Sequence, residues 1–406
     1  MQYKTIIRIT GLLMGLFSIT MLPSALVAIL YKDGGGTAFI QAFFVSIFLG
    51  FLLWYPNRHQ KGDLRTREGF LIVVLFWTVL GSIGALPFIF ANEPDLSWTD
   101  SFFESFSALT TTGATVIVGL DDLPKSILFY RHLLQWMGGM GIIVLAVAIL
   151  PLLGIGGMQL YKAEVPGPVK DTKVTPRIAE TAKALWYIYF MLTTACALAF
   201  YFAGMDAFDA ICHSFSTIAI GGFSTHDASL GYFDSPLINV ICAVFLLIAA
   251  VNFSLHFAAF SWRGINFKIY FRDAEFKVLI AVQLVLTAIC FITLYQSGIY
   301  DSAEQTLDYA FFQVVSISTT AGFGTESFHS WPLFLPILLI FSSFIGGCAG
   351  STGGGMKVIR LILLVLQGSR ELKRLIHPKA MYSIRIGSNA LPDRIIDAVW
   401  GFFSAY

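Results

Sequence analysis

Three polar, hydroxyl-rich stretches that contain a glycine interrupt the otherwise apolar sequence. The three stretches read SFSALTTTG (105–113), SFSTIAIGG (214–222) and VVSISTTAG (314–322). Aligned without a gap, they superimpose Gly113, Gly222 and Gly322, which recur about every 105 residues. A loop that aims successive carbonyl oxygens at one axis needs alternating left- and right-handed backbone, and glycine adopts the left-handed form at little cost. Such a ring of neutral hard oxygens suits a dehydrated alkali cation better than a divalent ion.

The residues predicted to bind this ion belong to the three glycine turns. They are Thr111, Thr112 and Gly113 in the first turn, Ile220, Gly221 and Gly222 in the second, and Ser318, Thr319, Thr320, Ala321 and Gly322 in the third. The third turn continues as TAGFG, which resembles the TVGYG loop of potassium channels, so K⁺ is the expected ion. Helix packing through glycine is the alternative, but it explains neither the hydroxyl runs nor their recurrence in phase.

A polar side chain precedes each aligned stretch by one residue. The three side chains are Glu104, His213 and Gln313. They fit two interpretations, either a partner that supports the loop or a hydrogen-bonded residue that packs the short helix from behind. A protonatable coupling site is a third possibility for an ionisable group at this depth.

A second glycine-rich segment has six glycines in ten residues. Its predicted gating residues are Gly346, Gly347, Gly350, Ser351, Thr352, Gly353, Gly354, Gly355 and Lys357. Each glycine costs about 0.8–1 kcal/mol of helix propensity relative to alanine, so the span should break into two helices around a loop. We predict an intramembrane gate on the cytoplasmic side of the filter. The alternative is close helix packing through Gly346 and Gly350 as a GxxxG pair.

Composition requires a membrane around these segments. The chain has 406 residues, 56% of them hydrophobic and only 13% charged, with a mean hydropathy of +0.73, which exceeds what a soluble domain can bury. Runs of about 20 apolar residues suffice to cross the bilayer as helices. The predicted spans are 6–31, 36–55, 69–94, 126–154, 184–204, 235–262, 275–299 and 331–367. The first run is a retained span, because it is long and no small-residue cleavage site follows it.

Basic residues alternate between loops and predict the topology. The four basic groups are Arg58, Lys61, Arg65 and Arg67; Lys162, Lys170, Lys173, Arg177 and Lys183; Arg263, Lys268, Arg272 and Lys277; and the segment 357–379. The loops 225–235, 296–310 and 324–331 have no Lys or Arg. By the positive-inside rule, the N-terminus and the basic loops are cytoplasmic and the glycine turns open outward. The basic residues are too dispersed to predict nucleic-acid binding.

The expected fold is an all-α polytopic membrane protein of repeated helix–pore loop–helix modules around a pseudo-fourfold ion pore. Two N-terminal spans occupy 1–68, and three modules occupy 69–182, 183–273 and 274–392, with the start of a fourth at 393–406. Acidic or turn-rich leads at 95–100, 205–209 and 301–304 are expected to cap short helices entering from outside. The C-termini of these helices would favour a cation at the bilayer centre.

Taken together, these motifs resemble the Trk, Ktr and HKT superfamily of potassium transporters, and most closely its TrkH-type uptake proteins. The resemblance rests on residues 110–115, 220–224, 320–324 and 350–357, and it covers nearly the whole chain. It implies a gated potassium pathway in the bacterial inner membrane, surrounded by lipid. It also implies a homodimer regulated by a cytosolic, TrkA-like, nucleotide-binding subunit. Potassium is then the transported ligand, with no covalently bound cofactor and no enzymatic activity.

Two expectations concern completeness and energy supply. The family's pore has four modules, whereas this sequence ends at Tyr406 before a fourth filter loop, which suggests truncation. Accumulating a monovalent cation 100-fold costs about 2.7 kcal/mol, and a potential of 100 mV supplies about 2.3 kcal/mol per charge. A larger potential covers the cost, which favours a channel-like passive pathway. A symporter coupled to protons or sodium is the alternative.

Overall fold

The fold is described from a computed structural model. It describes residues 3–59, 66–144, 175–261, 264–332, 334–378, 380, 382–386 and 389–405. Lys61, Arg65, Lys162, Lys170, Lys173, Arg263 and the end of the predicted span 126–154 lie outside the described residues. The chain divides into two compact units, one formed by Met1–Gly139 and Ala197–Phe233, the other by Met140–Cys196 and Asp234–Tyr406.

The first unit begins with five apolar helices, which form three segments long enough to cross a bilayer. The helices are α1 (Tyr3–Ser18), α2 (Met21–Tyr31), α3 (Gly36–Trp54), α4 (Thr66–Gly84) and α5 (Leu86–Phe90). Helices α1 and α3 approach through glycine, since a Cβ added to Gly11 would lie 2.7 Å from the Gly50 carbonyl oxygen. Backbones that approach this closely gain dispersion contacts, which replace the hydrophobic drive that is missing between helices in lipid.

Two short helices in this unit stop inside apolar sequence. They are α6 (Trp98–Leu109) and α9 (Ala207–Ala219), which flank α7 (Lys125–Val144) and α8 (Thr175–Phe202) along the chain. Ser97 caps α6 by accepting from the Asp100 N–H, and Asp206 caps α9 by accepting from the Asp209 N–H. These caps confirm the expected starts of the two helices, because each satisfies a backbone donor that the helix leaves free.

The second unit also contains a short capped helix between longer ones. Its elements are α10 (Pro236–Ala250), α11 (Phe253–Ala259), α12 (Lys268–Arg272), α13 (Ala274–Ser297), α14 (Ala303–Ser318), α15 (Leu335–Ser343), α16 (Val358–Ile376) and α17 (Asp393–Ala405). Two antiparallel pairs of two-residue strands, β1 (Phe260–Ser261) with β2 (Gly264–Ile265) and β3 (Arg385–Ile386) with β4 (Asn389–Ala390), turn the chain between helices. Ser302 caps the short helix α14 through the Gln305 N–H.

Five helical segments in the described residues are long and apolar enough to cross a membrane. They are Tyr3–Tyr31, Gly36–Asn57, Leu71–Phe90, Ala182–Phe202 and Ala274–Ser297, and they confirm five of the predicted spans. The predicted span at 235–262 is not straight. There α10 and α11 meet at a bend of 94°, with Asn252 capping α11 through the Ser254 N–H. The predicted span 331–367 is interrupted between α15 and α16, as its glycine content required.

Candidate functional site

Each short helix ends in the same hydrogen-bonded turn. In the first turn the Thr112 N–H donates to the Ser107 carbonyl (2.9 Å) and the Thr111 N–H to the Ala108 carbonyl (3.0 Å). The same two bonds recur as Gly221 to Ser216 and Ile220 to Thr217 in the second turn, and as Ala321 to Ser316 and Thr320 to Ile317 in the third. This pair of bonds is a Schellman motif, which usually places glycine at its left-handed residue.

The left-handed residue of these motifs is not glycine in any of the three turns. Thr111, Ile220 and Thr320 have φ values of 56°, 52° and 71°. The aligned glycines, two residues later, have φ values of 77°, 76° and 86°. Left-handed residues therefore stand at every second position, as carbonyls aimed at one axis require. Glycine supplies one of the two left-handed residues, and the other carries about 1–2 kcal/mol of strain.

The predicted ion-binding residues differ in what their side chains do. Of the three glycines, Gly113 and Gly222 are half-buried and Gly322 is exposed. The Thr319 hydroxyl donates to the Val315 carbonyl at 2.8 Å, and the Ser318 hydroxyl pairs with the buried amide of Gln283. The side chains of Thr319 and Ser318 thus brace the end of α14, and what the turn presents is backbone oxygen. The negative end of each short helix dipole adds to this field.

The polar residue before each aligned stretch holds the chain that leaves the turn. Glu104 accepts from the Thr115 hydroxyl at 3.0 Å. His213 contacts the Ser224 hydroxyl through Nε2 at 2.9 Å, and Gln313 donates to the Glu326 carbonyl at 3.0 Å. These contacts match the first interpretation, a partner that supports the loop.

An ion pair behind the first turn was missed by the sequence analysis. Arg131 on α7 donates from Nε to Glu104 Oε1 at 2.6 Å, and both side chains are fully buried. Its Nη2 also donates to the Thr115 hydroxyl at 3.0 Å, and its guanidinium lies 4.2 Å from the Phe223 ring centroid. Two buried charges at this distance are tolerable because each has several partners. A single arginine inside a predicted span was the available signal.

Gln135 was also missed, and it contacts the second turn. It lies one helical turn after Arg131 on α7 and is fully buried. Its Nε2 donates to the Gly221 carbonyl oxygen at 2.7 Å, and its Oε1 accepts from the Phe223 N–H at 3.4 Å. Gly221 was predicted to bind the ion, but its carbonyl already accepts this hydrogen bond. No local pattern reveals a contact between residues that are 86 positions apart in the chain.

Outside the spans, the chain segments that leave the first and second turns are joined by a polar clasp, formed by Asp121, Asp209, His226 and Asp227. His226 contacts Asp121 through Nδ1 and Asp209 through Nε2, the latter at 3.2 Å. Asp227 accepts from the N–H groups of Gly119 and Leu120 at 3.1 and 3.0 Å. The hydrogen bond from His226 holds the pKa of the Asp121 carboxyl below its ordinary value.

In the second unit the glycine-rich loop between α15 and α16 reaches the third turn. The Gly354 N–H donates to the Thr320 hydroxyl at 2.8 Å. A Cβ added to Gly353 would lie 3.2 Å from the Thr319 carbonyl oxygen. Gly354 is exposed, so the loop meets the turn at a face accessible to water. The loop therefore contacts the turn, and its role as a gate stays a prediction.

The glycine-rich loop is anchored to three helices and folded on itself. The Cys348 N–H donates to the Ala250 carbonyl at 2.8 Å, and the Gly350 carbonyl accepts from the Phe253 N–H at 3.1 Å. The Ala349 N–H donates to the buried carboxylate of Glu275 at 2.9 Å. These contacts use the backbone groups exposed by the bend between α10 and α11, which explains why both segments are broken.

The remaining predicted gating residues complete this loop. Gly346, Gly350 and Gly355 have φ values of 68°, 70° and 74°. A Cβ on Gly346 would lie 2.0 Å from the Gly354 carbonyl oxygen. The alternative of helix packing through Gly346 and Gly350 is therefore wrong, because neither residue is helical.

The other predicted gating residues hold the loop through side-chain and backbone contacts. The Ser351 hydroxyl donates to the Cys348 carbonyl, and the Thr352 hydroxyl donates to the Ala249 carbonyl. The Lys357 ammonium donates to the Gly353 carbonyl, and Gly347 packs against Ala250.

Short capped helices that end in glycine turns within apolar sequence define a class, the polytopic membrane proteins built from helix–pore loop–helix repeats. Residues 35–406 match the family described as TrkH, cation transport protein. The chain belongs to this family.

Named relatives agree with the family match. The Trk system potassium uptake protein TrkH of Vibrio parahaemolyticus is 69% identical over 406 residues, which are 100% of this chain and 84% of the relative. The protein of the same name from Escherichia coli strain K12 is 66% identical with the same coverage. The crystal structure of the potassium transporter TrkH from Vibrio parahaemolyticus superimposes with a TM-score of 0.93 at 66% identity, covering 100% of this chain and 83% of that one.

Proposed function

We propose that this protein takes up potassium across the bacterial inner membrane through a gated, channel-like pathway. The observation that carries the proposal is the repetition of one backbone conformation in three turns, with left-handed residues alternating at 111 and 113, 220 and 222, and 320 and 322. Backbone carbonyls presented in this way replace the water of an alkali cation. The relatives named above are potassium uptake proteins, which supports K⁺ as the ion.

The glycine-rich loop is proposed to gate the pathway. Its contact with the third turn includes a neutral hydrogen bond from the Gly354 N–H to the Thr320 hydroxyl. Such a bond contributes only about 0.5–1.5 kcal/mol net. The contact can therefore break and form at modest cost, as a gate requires. Lys357, which donates to the Gly353 carbonyl, holds the loop from its cytoplasmic end.

The proposed setting includes a lipid bilayer, a second copy of the chain and a cytosolic nucleotide-binding regulator of the TrkA type. The resemblance to the Trk proteins supports these partners, and the clustering of basic residues supports a cytoplasmic N-terminus. Nucleic acid is not among the proposed partners. Potassium is the transported ligand, and no covalently bound cofactor is proposed.

The test is potassium selectivity in proteoliposomes with Gly322→Ser. A Cβ at Gly322 would meet no atom within 4 Å, so the substitution acts through its positive φ alone. Gly298, the C-cap of α13, has the same open space and a φ of +65°, which makes Gly298→Ser a matched control for backbone strain. We expect the preference for rubidium or potassium over sodium to fall in Gly322→Ser and to persist in Gly298→Ser. If the wild type, Gly322→Ser and Gly298→Ser all showed the same preference for rubidium or potassium over sodium, the assignment of the turns as a selectivity filter would be wrong.

A further inference from the structure

The three turns are braced differently where the chain leaves them. In the first turn the Ser107 hydroxyl donates to the Ala114 carbonyl at 2.5 Å, and in the third the aligned Ser316 hydroxyl donates to the Phe323 carbonyl at 2.7 Å. The aligned serine of the second turn is Ser216. Its buried hydroxyl has no hydrogen-bond partner among the described residues. The second turn therefore lacks the internal brace that the other two turns share.

Gln135 braces the second turn instead, from helix α7 and through different backbone atoms. Its side-chain amide donates to the Gly221 carbonyl at 2.7 Å and accepts from the Phe223 N–H at 3.4 Å. The two contacts bracket Gly222, whose left-handed backbone is the repeated feature of the turn. A carbonyl can only accept and an N–H can only donate, so these partners also fix the orientation of the amide.

The amide of Gln135 also explains the residue at position 221. The aligned residues in the first and third turns, Thr112 and Ala321, carry side chains. A Cβ added to Gly221 would lie 2.5–2.7 Å from three atoms of the Gln135 amide, and these are its nearest neighbours. Gly221 is not among the residues with positive φ. Position 221 therefore requires glycine for steric reasons, because the amide of Gln135 occupies the volume that a Cβ would need.

We propose that Gln135 is a positioning residue that sets the ion selectivity of the second turn. It holds the peptides on both sides of Gly222 from outside the turn, so that the filter's geometry depends on helix α7. This inference rests on the proposed function, because selectivity has meaning only if the turn binds the permeating ion. Loss of the amide would leave the Gly221 carbonyl free to rotate, and sodium would then be discriminated less well.

The test replaces Gln135 by methionine, which keeps the length of the side chain and removes both hydrogen bonds. Rubidium uptake into proteoliposomes is measured with and without competing sodium. We expect folded protein whose rubidium-to-sodium preference falls roughly fivefold to tenfold, as the loss of about 1 kcal/mol of positioning implies. Gln41→Met is the matched control, since Gln41 is exposed on α3, and it should keep the wild-type preference.

A double-mutant cycle with Gly221→Ala separates positioning from general packing. Gly221→Ala alone should lower the preference, because its Cβ collides with the amide of Gln135. In the background of Gln135→Ala the collision is absent, so the second substitution should add little. Effects that multiply independently, or an unchanged preference in Gln135→Met, would overturn the inference while leaving the proposed function intact.

Two further outcomes are also decisive. If neither Gln135→Met nor Gln135→Ala gave monodisperse protein on gel filtration, Gln135 would be a residue of the core and not of the filter, and the inference would be overturned. If the wild-type protein itself showed no preference for rubidium over sodium, the proposed function would fail first.

Discussion

At the scale of single residues, the buried pair of Arg131 and Glu104 supports the first turn. Removing one member leaves the other charged and without its partner in the interior, which costs about 3–5 kcal/mol. We expect Arg131→Met to lower the thermal unfolding midpoint strongly. Combining it with Glu104→Gln should recover much of the loss, because the neutral amide still accepts from Thr115. Intrinsic fluorescence during heating in detergent measures both variants.

The control for this prediction is an exposed ion pair in the same unit. Lys125 and Asp206 lie 3.9 Å apart with side chains that are 40% and 57% exposed. Lys125→Met should change the free energy of unfolding by less than about 1 kcal/mol, since exposed pairs contribute little. A double variant of Arg131 and Glu104 that is no more stable than Arg131→Met would contradict the prediction.

The sequence predicted the backbone of the three glycines better than the contacts that support the turns. The left-handed backbone of Gly113, Gly222 and Gly322 was predictable because it is a local property that a residue type reveals. The left-handed backbone of Thr111, Ile220 and Thr320 was not predictable, since these residue types seldom adopt positive φ and only the fold imposes it. The contact of Gln135 with Gly221 joins positions that are far apart in the chain, and a single sequence cannot predict such a contact.

At the scale of elements, the glycine-rich loop and the third turn are in direct contact. A Cβ at Gly354 would lie 2.8 Å from the Thr320 hydroxyl oxygen. Gly354→Ala should therefore push the loop away and break the hydrogen bond between them. We expect potassium flux through the unstimulated protein to rise by up to about tenfold, because the lost bond contributes about 0.5–1.5 kcal/mol to the closed state.

Gly368→Ala is the matched control for the loop variant. Gly368 lies within α16, and a Cβ there would meet no atom within 4 Å. Its flux should equal that of the wild type. A Gly354→Ala protein with wild-type flux and unchanged selectivity would show that the contact does not close the pathway.

Also at the scale of elements, the clasp around His226 should depend on pH. The folded pKa of Asp121 is lowered, chiefly by its hydrogen bond with His226. Its stabilising contribution is therefore fully present above the unfolded pKa, and is lost as the pH falls through the lower folded value. We expect the amides of Gly119 and Leu120 to exchange hydrogen faster as the pH decreases below about 4, after correction for intrinsic exchange.

Asp121→Asn tests the clasp at neutral pH. The amide keeps the size of the side chain and removes its charge, so faster exchange at these two amides should appear without acid. Asp122→Asn is the control, since Asp122 is exposed on the same turn. Identical exchange in the wild type and in Asp121→Asn would show that Asp227 alone holds the segment.

The broken helices mark the limit of prediction at this scale. The break before α16 followed from glycine content, which is a local signal. The bend between α10 and α11 follows from Cys348 and Gly350, which hydrogen-bond to the chain on either side of it. Residues 236–259 are apolar enough for a straight span, so their composition did not predict the bend.

At the scale of the whole molecule, the alternation of basic loops predicts which ends of the spans face the cytoplasm. Helix α13 has 24 residues and is about 36 Å long, so its two ends lie on opposite sides of the membrane. Lys268 lies before α13, in a basic loop that is predicted to be cytoplasmic. Ser327 lies in a loop without Lys or Arg, after the short helix α14 and the third turn. If α14 and the turn form a re-entrant loop, Ser327 is on the side of the membrane from which α14 enters.

Cysteine accessibility measures this orientation directly. The five cysteines are buried, so their background labelling should be low. In intact cells, a maleimide that cannot cross membranes should label Ser327→Cys, because the positive-inside rule places this loop outside. It should label Lys268→Cys only after the membrane is permeabilised. The reverse pattern would invert the topology and place the glycine turns at the cytoplasmic mouth, where a filter could no longer meet the incoming ion first.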